Sequence, residues 1–167
     1  ENNFMTRIIT RGLLITTRGK VNVKSNHFVS TTMSGILLSD DAKSWYESGM
    51  CRDVTIENNT FDYCGQTPIL IKPENRTYAG PVHKNVKIIG NTFNKYKGYC
   101  INAKDTDGIV LKNNKFSNNK KLKIQYKTLN FKVLFIVENP LKNVNNKGDK
   151  MLKICRLYTI AQNIYYI

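Results

Sequence analysis

Apolar residues recur at alternate positions in short groups along this chain: Val21/Val23, Val54/Ile56, Val86/Ile88 and Ile109/Leu111. A period of two marks strands whose alternate side chains enter a core. Each pair is followed at a fixed offset by an Asn-x-Phe triplet, at Asn26-x-Phe28, Asn59-x-Phe61, Asn91-x-Phe93 and Asn114-x-Phe116, and a fifth copy, Asn2-x-Phe4, opens the chain. The phenylalanines advance by 24, 33, 32 and 23 residues, so the unit is about two dozen residues and two units are longer. Repeats of that size belong to solenoids.

The strand content selects the kind of solenoid. A second apolar segment follows each triplet (Leu13-Leu14-Ile15, Ile36-Leu37-Leu38, Ile69-Leu70-Ile71, Cys100-Ile101), with no amphipathic helical stretch between them. The pattern predicts an all-β, right-handed, single-stranded parallel β-helix of four to five coils, with like residues of successive coils stacked at roughly 4.8 Å. The repeated asparagine suits a tight corner, because Asn tolerates the left-handed conformation and its amide can hydrogen-bond from coil to coil. These Asn and Phe residues are scaffold and carry no information about a ligand.

Aligning the second strands brings out a charged column. Asp41 and Glu74 fall 13 residues after their phenylalanines, Asp105 falls 12 after Phe93, and Arg18 falls 14 after Phe4. If Ile69 and Ile71 face inward, strand alternation turns Lys72 and Glu74 outward. The same parity turns Ser39 and Asp41 outward and leaves Asp40 at the strand end. The extra residues of the long coils fall most simply just after Asp41 (42–50) and just after Glu74 (75–82), where they would wall a groove. Trp45, Tyr46 and Glu47 in the first and Arg76 and Tyr78 in the second offer flat aromatic faces and hydrogen-bonding heads, a mixture suited to a sugar ring.

The segments T-R-G-L-L-I-T-T-R-G-K-V, S-G-I-L-L-S-D-D-A-K-S-W-Y-E-S-G, V-T-I-E-N-N-T-F, I-L-I-K-P-E-N and V-H-K-N-V-K-I-I-G-N-T-F resemble the α-1,3-galactosidases of glycoside hydrolase family 110, over roughly residues 6 to 118. The resemblance implies a right-handed β-helix enzyme that removes terminal α-1,3-linked galactose with inversion, from linear galactosides or blood group B structures. By the same resemblance Asp40, Asp41 and Glu74 match the catalytic carboxylates. Inversion needs one acid and one base about 6.5–9.5 Å apart, and the expected roles are Glu74 as acid and Asp41 or Asp40 as base. Arg18, Trp45, Glu47, Lys72 and Asp105 are the candidates for holding galactose. The implied partner is a galactose-terminated glycan, with no cofactor and no metal, and the implied location is the periplasm or exterior of a bacterium.

Composition modifies the picture at the ends. The family's proteins are several times longer, and a chain opening on Asn2-x-Phe4 begins in the closing half of a coil, so a fragment is expected. The net charge is +14. Residues 117–167 hold ten Lys/Arg against Glu138 and Asp149, whereas residues 1–116 hold sixteen against ten. The expected division is therefore coils over 1–119 and a basic, divergent tail or cap over 120–167. Without aromatics interleaved along a basic groove, the charge does not imply a nucleic-acid partner, and no membrane-spanning stretch is present. Association into a homo-oligomer is left open. Cys51, Cys64, Cys100 and Cys155 lack metal-type spacing, Cys64 and Cys100 are expected to fill inward positions, and His27 and His83 are expected at the surface. Two other readings remain: a non-catalytic carbohydrate-binding or structural β-helix, and a calcium-dependent polysaccharide lyase, against which the D-D-A-K-S-W motif argues.

Overall fold

A computed structural model describes residues 1–42, 44, 46, 49–75, 77, 79–116 and, as backbone alone, 124–127 and 133–136. Its strands form three parallel five-stranded sheets. The first holds β1 (Phe4–Thr6), β4 (His27–Val29), β7 (Thr60–Asp62), β10 (Thr92–Phe93) and β13 (Lys115–Phe116). The second holds β2 (Leu13–Ile15), β5 (Ile36–Leu38), β8 (Ile69–Ile71), β11 (Ile101–Lys104) and β14 (Ile124–Lys127). The third holds β3 (Lys20–Lys24), β6 (Asp53–Glu57), β9 (His83–Ile89), β12 (Thr106–Lys112) and β15 (Val133–Ile136). Each coil contributes one strand to each sheet, the arrangement of a right-handed parallel β-helix. Because β14 and β15 pair with β11 and β12, the second and third sheets extend into the region expected to be a tail or cap; its other residues from 117 onward lie outside those described.

Two columns of identical residues hold the coils in register. Phe28, Phe61, Phe93 and Phe116 stack nearly parallel, with ring centroids 5.1, 5.0 and 5.2 Å apart, and the first three are fully buried. Each such contact is worth roughly 0.5–1.5 kcal/mol beyond the area it buries. Beside them runs an amide ladder. Asn59 Oδ1 accepts from the backbone N–H and the side-chain amide of Asn26 at 2.9 and 3.0 Å, and Asn91 and Asn114 repeat the arrangement one coil further on.

The structure corrects three expectations about these columns. The first coil is shifted by one residue: Asn3, not Asn2, joins the ladder, Met5 pairs with Phe28, and Phe4 is left 66 % exposed. The ladder asparagines are not the left-handed residues either. Positive φ falls on the residue before each, Asn2, Ser25, Asn58, Gly90 and Asn113, so corner and ladder are separate functions of adjacent positions. Finally His83, expected at the surface, is fully buried. Cys64 and Cys100 are buried as expected, together with Cys51. Among the described residues no helix is long and apolar enough to cross a membrane.

Candidate active site

The corrected register tightens the charged column. Arg18, Asp41 and Glu74 each stand 13 residues beyond the stacked Met5, Phe28 and Phe61, whose strands pair directly. The second sheet keeps that register, with Leu38 opposite Ile71. Past the strand ends the ladder continues, since the Glu74 N–H donates to the Asp40 carbonyl at 2.8 Å and the Lys72 N–H to the Leu38 carbonyl at 2.9 Å. The Asp40-Asp41 and Glu74 backbones are therefore neighbours on successive coils, roughly 4.8 Å apart.

Their side chains have different surroundings. Asp41 is half-buried, and its Oδ1 accepts from the Ser44 N–H at 2.7 Å, an Asx-type contact that starts the first long connection. Glu74 Oε1 lies 2.6 Å from Lys72 Nζ, with 39 % and 53 % of the two side chains exposed; such a solvated pair is worth about 0–1 kcal/mol and a ligand can displace it. Asp40 is 6 % exposed. Ser39 was expected outward but is buried, with its hydroxyl donating to the Lys72 carbonyl at 3.2 Å. Arg18 is exposed at the end of the column.

Asp105 occupies the coil position of Asp40 rather than that of Asp41, so the outward column holds two carboxylates instead of the three expected. It is 2 % exposed, has φ of 49°, and its carbonyl accepts from the N–H groups of Val82 and His83 at 2.8 and 3.2 Å. Its carboxylate is 3.5 Å from Lys104 Nζ. It thus ties the end of the second long connection to the next coil. Trp45 and Glu47, and with them Arg76 and Tyr78, lie outside the described residues.

Sequence reasoning missed a polar layer behind the column. His83 Nδ1 accepts from the Cys51 N–H at 3.1 Å, and its Nε2 has no partner among the described residues. Burial, with a smaller contribution from the Arg52 cation, lowers the imidazole to about 4, so it is neutral near pH 7. Burial likewise pushes the Cys51 thiol up. Nothing in the spacing marks His83, whose strand opens His-Lys-Asn before the apolar alternation begins. Among the described residues no cluster of three or more His, Cys, Asp or Glu could hold a metal ion.

The connections after Asp41 and Glu74 sit over this end of the second sheet and bound a pocket of about 420 Å³ with Asp40 on its wall. The sequence from residue 11 to 149 matches the family described as right-handed beta helix region. The chain belongs to the right-handed β-helix family. The chain is 49 % identical over 115 residues to alpha-1,3-galactosidase A of Bacteroides thetaiotaomicron, covering 68 % of this chain and 20 % of that protein. It is 41 % identical over 121 residues to alpha-1,3-galactosidase A of Akkermansia muciniphila, covering 72 % and 20 %. To alpha-1,3-galactosidase B of B. thetaiotaomicron it is 39 % identical over 114 residues, covering 62 % and 18 %. This β-helix chain thus spans about a fifth of the length of these relatives, and the resemblance to glycoside hydrolase family 110 rests on alignment as well as on its motifs.

Proposed function

We propose that this β-helix acts as the hydrolytic centre of an α-1,3-galactosidase, a glycoside hydrolase that releases terminal α-linked galactose from a glycan. The observation that carries the reading is the register itself: Asp41 and Glu74 share a column on successive coils, at the mouths of the two longest connections. The names of the relatives supply the substrate class.

The chemistry follows from two carboxyl groups on opposite sides of a scissile bond. Glu74, as the acid, gives its proton to the glycosidic oxygen as the C1–O bond breaks. Asp41 or Asp40, as the base, takes a proton from a water that attacks C1 from the other face. One proton leaves the enzyme and one returns, and the product is β-galactose. Lys72 can turn from Glu74 to a sugar hydroxyl on binding, because the ion pair is solvent-exposed. Arg18, one coil before Asp41 in the column, would contact the sugar beyond the scissile bond.

Proton NMR of an α-1,3-galactobiose digest tests this. The β anomer is expected first, and Glu74→Gln should lower kcat by roughly 10²–10⁴, the usual contribution of general acid–base catalysis. First appearance of α-galactose, or a Glu74→Gln chain with unchanged kcat, would refute the mechanism. The alternative, a non-catalytic carbohydrate-binding or structural β-helix, predicts no turnover, with galactoside binding in the carbohydrate-binding case.

A further inference from the structure

The two long connections are joined at their far ends by one side chain. His83 follows directly on the second connection, and its Nδ1 accepts from the N–H of Cys51, which follows directly on the first, at 3.1 Å. The backbone closes the contact, since the Lys84 N–H donates to the Cys51 carbonyl at 2.9 Å. The flanking coils hold the same layer. On one side the His83 N–H donates to the Asp105 carbonyl at 3.2 Å and His83 pairs with Thr106. On the other, Cys51 Sγ lies 3.6 Å from the Ile15 carbonyl, and the Gly49 backbone packs so closely on Thr16 that a Cβ there would overlap the Thr16 carbonyl.

An aliphatic side chain would fill this space without leaving a polar atom stranded. The His83 ring is fully buried, and with Nδ1 accepting, its proton is on Nε2, which has no partner among the described residues. A buried N–H without an acceptor is unfavourable, so what the ring contributes is the acceptor it holds out to Cys51. That contribution depends on neutrality, because a proton on Nδ1 would set donor against donor. Burial keeps the ring neutral, and the Arg52 cation adds to the effect. The other charged groups of the layer are Asp40, which acts on the Cys51 thiol, and Asp105, whose carboxylate is 3.5 Å from Lys104 Nζ.

The joined residues stand directly behind the candidate site. Met50 and Val82, each one residue before the pair, are on the wall of the cavity beside Asp40, and the near ends of the same connections carry Asp41 and Glu74. Strand pairing fixes where those two backbones lie, whereas the direction of the Asp41 carboxylate depends on the first connection, through the Ser44 N–H at 2.7 Å. A connection tethered at both ends keeps that N–H in place. We propose that His83 is a positioning residue for the hydrolytic site: by accepting from the Cys51 N–H it fixes the first long connection against the second, and through Ser44 it holds the Asp41 carboxylate in the direction a base requires. The assignment rests on the hydrolase reading above.

Hydrogen exchange at the Cys51 amide, read by NMR on the full chain, and galactose release from α-1,3-galactobiose together test it. His83→Leu removes the acceptor, whereas His83→Asn puts an Oδ1 where Nδ1 stands and does not titrate. In His83→Leu the Cys51 amide should exchange roughly tenfold faster or more while the Ile56 amide of β6 is unchanged. Its kcat should fall roughly tenfold or more at an unchanged KM, and His83→Asn should restore both readouts. Protection of the Cys51 amide should be lost below about pH 4 in the native chain and kept in His83→Asn. Where His83→Leu loses protection at Ile56 as well, that comparison across pH decides. The tether is overturned if Cys51 exchange in His83→Leu stays within roughly twofold of native, or if the native chain and His83→Asn share one pH dependence. Faster exchange at Cys51 with kcat unchanged would overturn the positioning role. A native chain that releases no galactose while its Cys51 amide behaves as described would sink the hydrolase reading and leave the tether standing.

Discussion

Two adjacent asparagines, Asn58 and Asn59, allow a sharp test of how the coils are held. Asn59 is fully buried. Its Oδ1 accepts from the backbone N–H and the amide of Asn26, and its Nδ2 donates to the Val23 carbonyl at 2.9 Å and to Asn91 Oδ1 at 3.0 Å. Asn59→Ala removes all four bonds and leaves buried groups on three neighbours short of a partner. At about 1 kcal/mol net for each bond, more where a buried group is orphaned, the loss should be about 4 kcal/mol. That is a large part of a typical stability of about 5–15 kcal/mol. Asn58 is left-handed, at φ of 54°, so Asn58→Gly should lie within about 0.5 kcal/mol of the parent and Asn58→Ala should cost about 1–2 kcal/mol. Asn3→Ala, at the exposed end of the ladder, should cost under about 1 kcal/mol. Urea unfolding followed by far-ultraviolet circular dichroism measures all four. A loss below about 1 kcal/mol for Asn59→Ala, or one no larger than that of Asn58→Ala, would refute the division of roles.

Other consequences can be checked with the same unfolding assay. The folded imidazole of His83 lies below its ordinary 6.5, at about 4. Its contribution to stability is therefore fully present above pH 6.5 and declines as pH falls through the window down to about 4. The gap corresponds to an upper limit of about 3 kcal/mol; His83→Gln should flatten that slope, and an unchanged profile would contradict the burial account. A Cβ at Gly35 would stand 2.7 Å from Phe61 Cδ1 and 3.2 Å from the Pro68 carbonyl, so Gly35→Ala should cost about 1–3 kcal/mol by overpacking. Cys51, Cys64 and Cys100 are all buried, and burial raises the Cys51 and Cys64 thiols. The three should resist thiol reagents in the native state and react on unfolding; rapid labelling of any of them in the native state would disprove their burial.

The core columns were legible because period-two aliphatics and a stacked Phe are dictated by the coil geometry itself. The first-coil register was not, since Asn2-Asn3 and Phe4-Met5 satisfy the echo equally well. It is decided by the pairing of Leu13 with Ile36, which demands Met5 over Phe28. The neighbourhood of Asp41 and Glu74 was legible from position counting alone. The buried states of Ser39, Asp40 and Asp105 were not, because strand parity does not record what the long connections cover. His83 escaped for a related reason: its burial depends on contacts with Cys51 from the preceding coil, a relation that no local pattern encodes.

A hydrolytic site here requires Asp41 and Glu74 to be neighbours on the solvent side of adjacent coils. Mild copper-phenanthroline oxidation of a chain carrying Asp41→Cys and Glu74→Cys, with Cys155→Ser to remove a competing thiol, tests that most directly when read by non-reducing mass spectrometry. Equivalent residues on paired coils stand roughly 4.8 Å apart, inside the roughly 4.4–6.8 Å Cα range of disulfides, whereas Asp41 and Thr106 are two coils apart at roughly twice that distance. The prediction is rapid, near-complete cross-linking of the Asp41→Cys/Glu74→Cys variant and none for Asp41→Cys/Thr106→Cys. Failure of the first pair to close, or closure of the second in its place, would contradict the shared column.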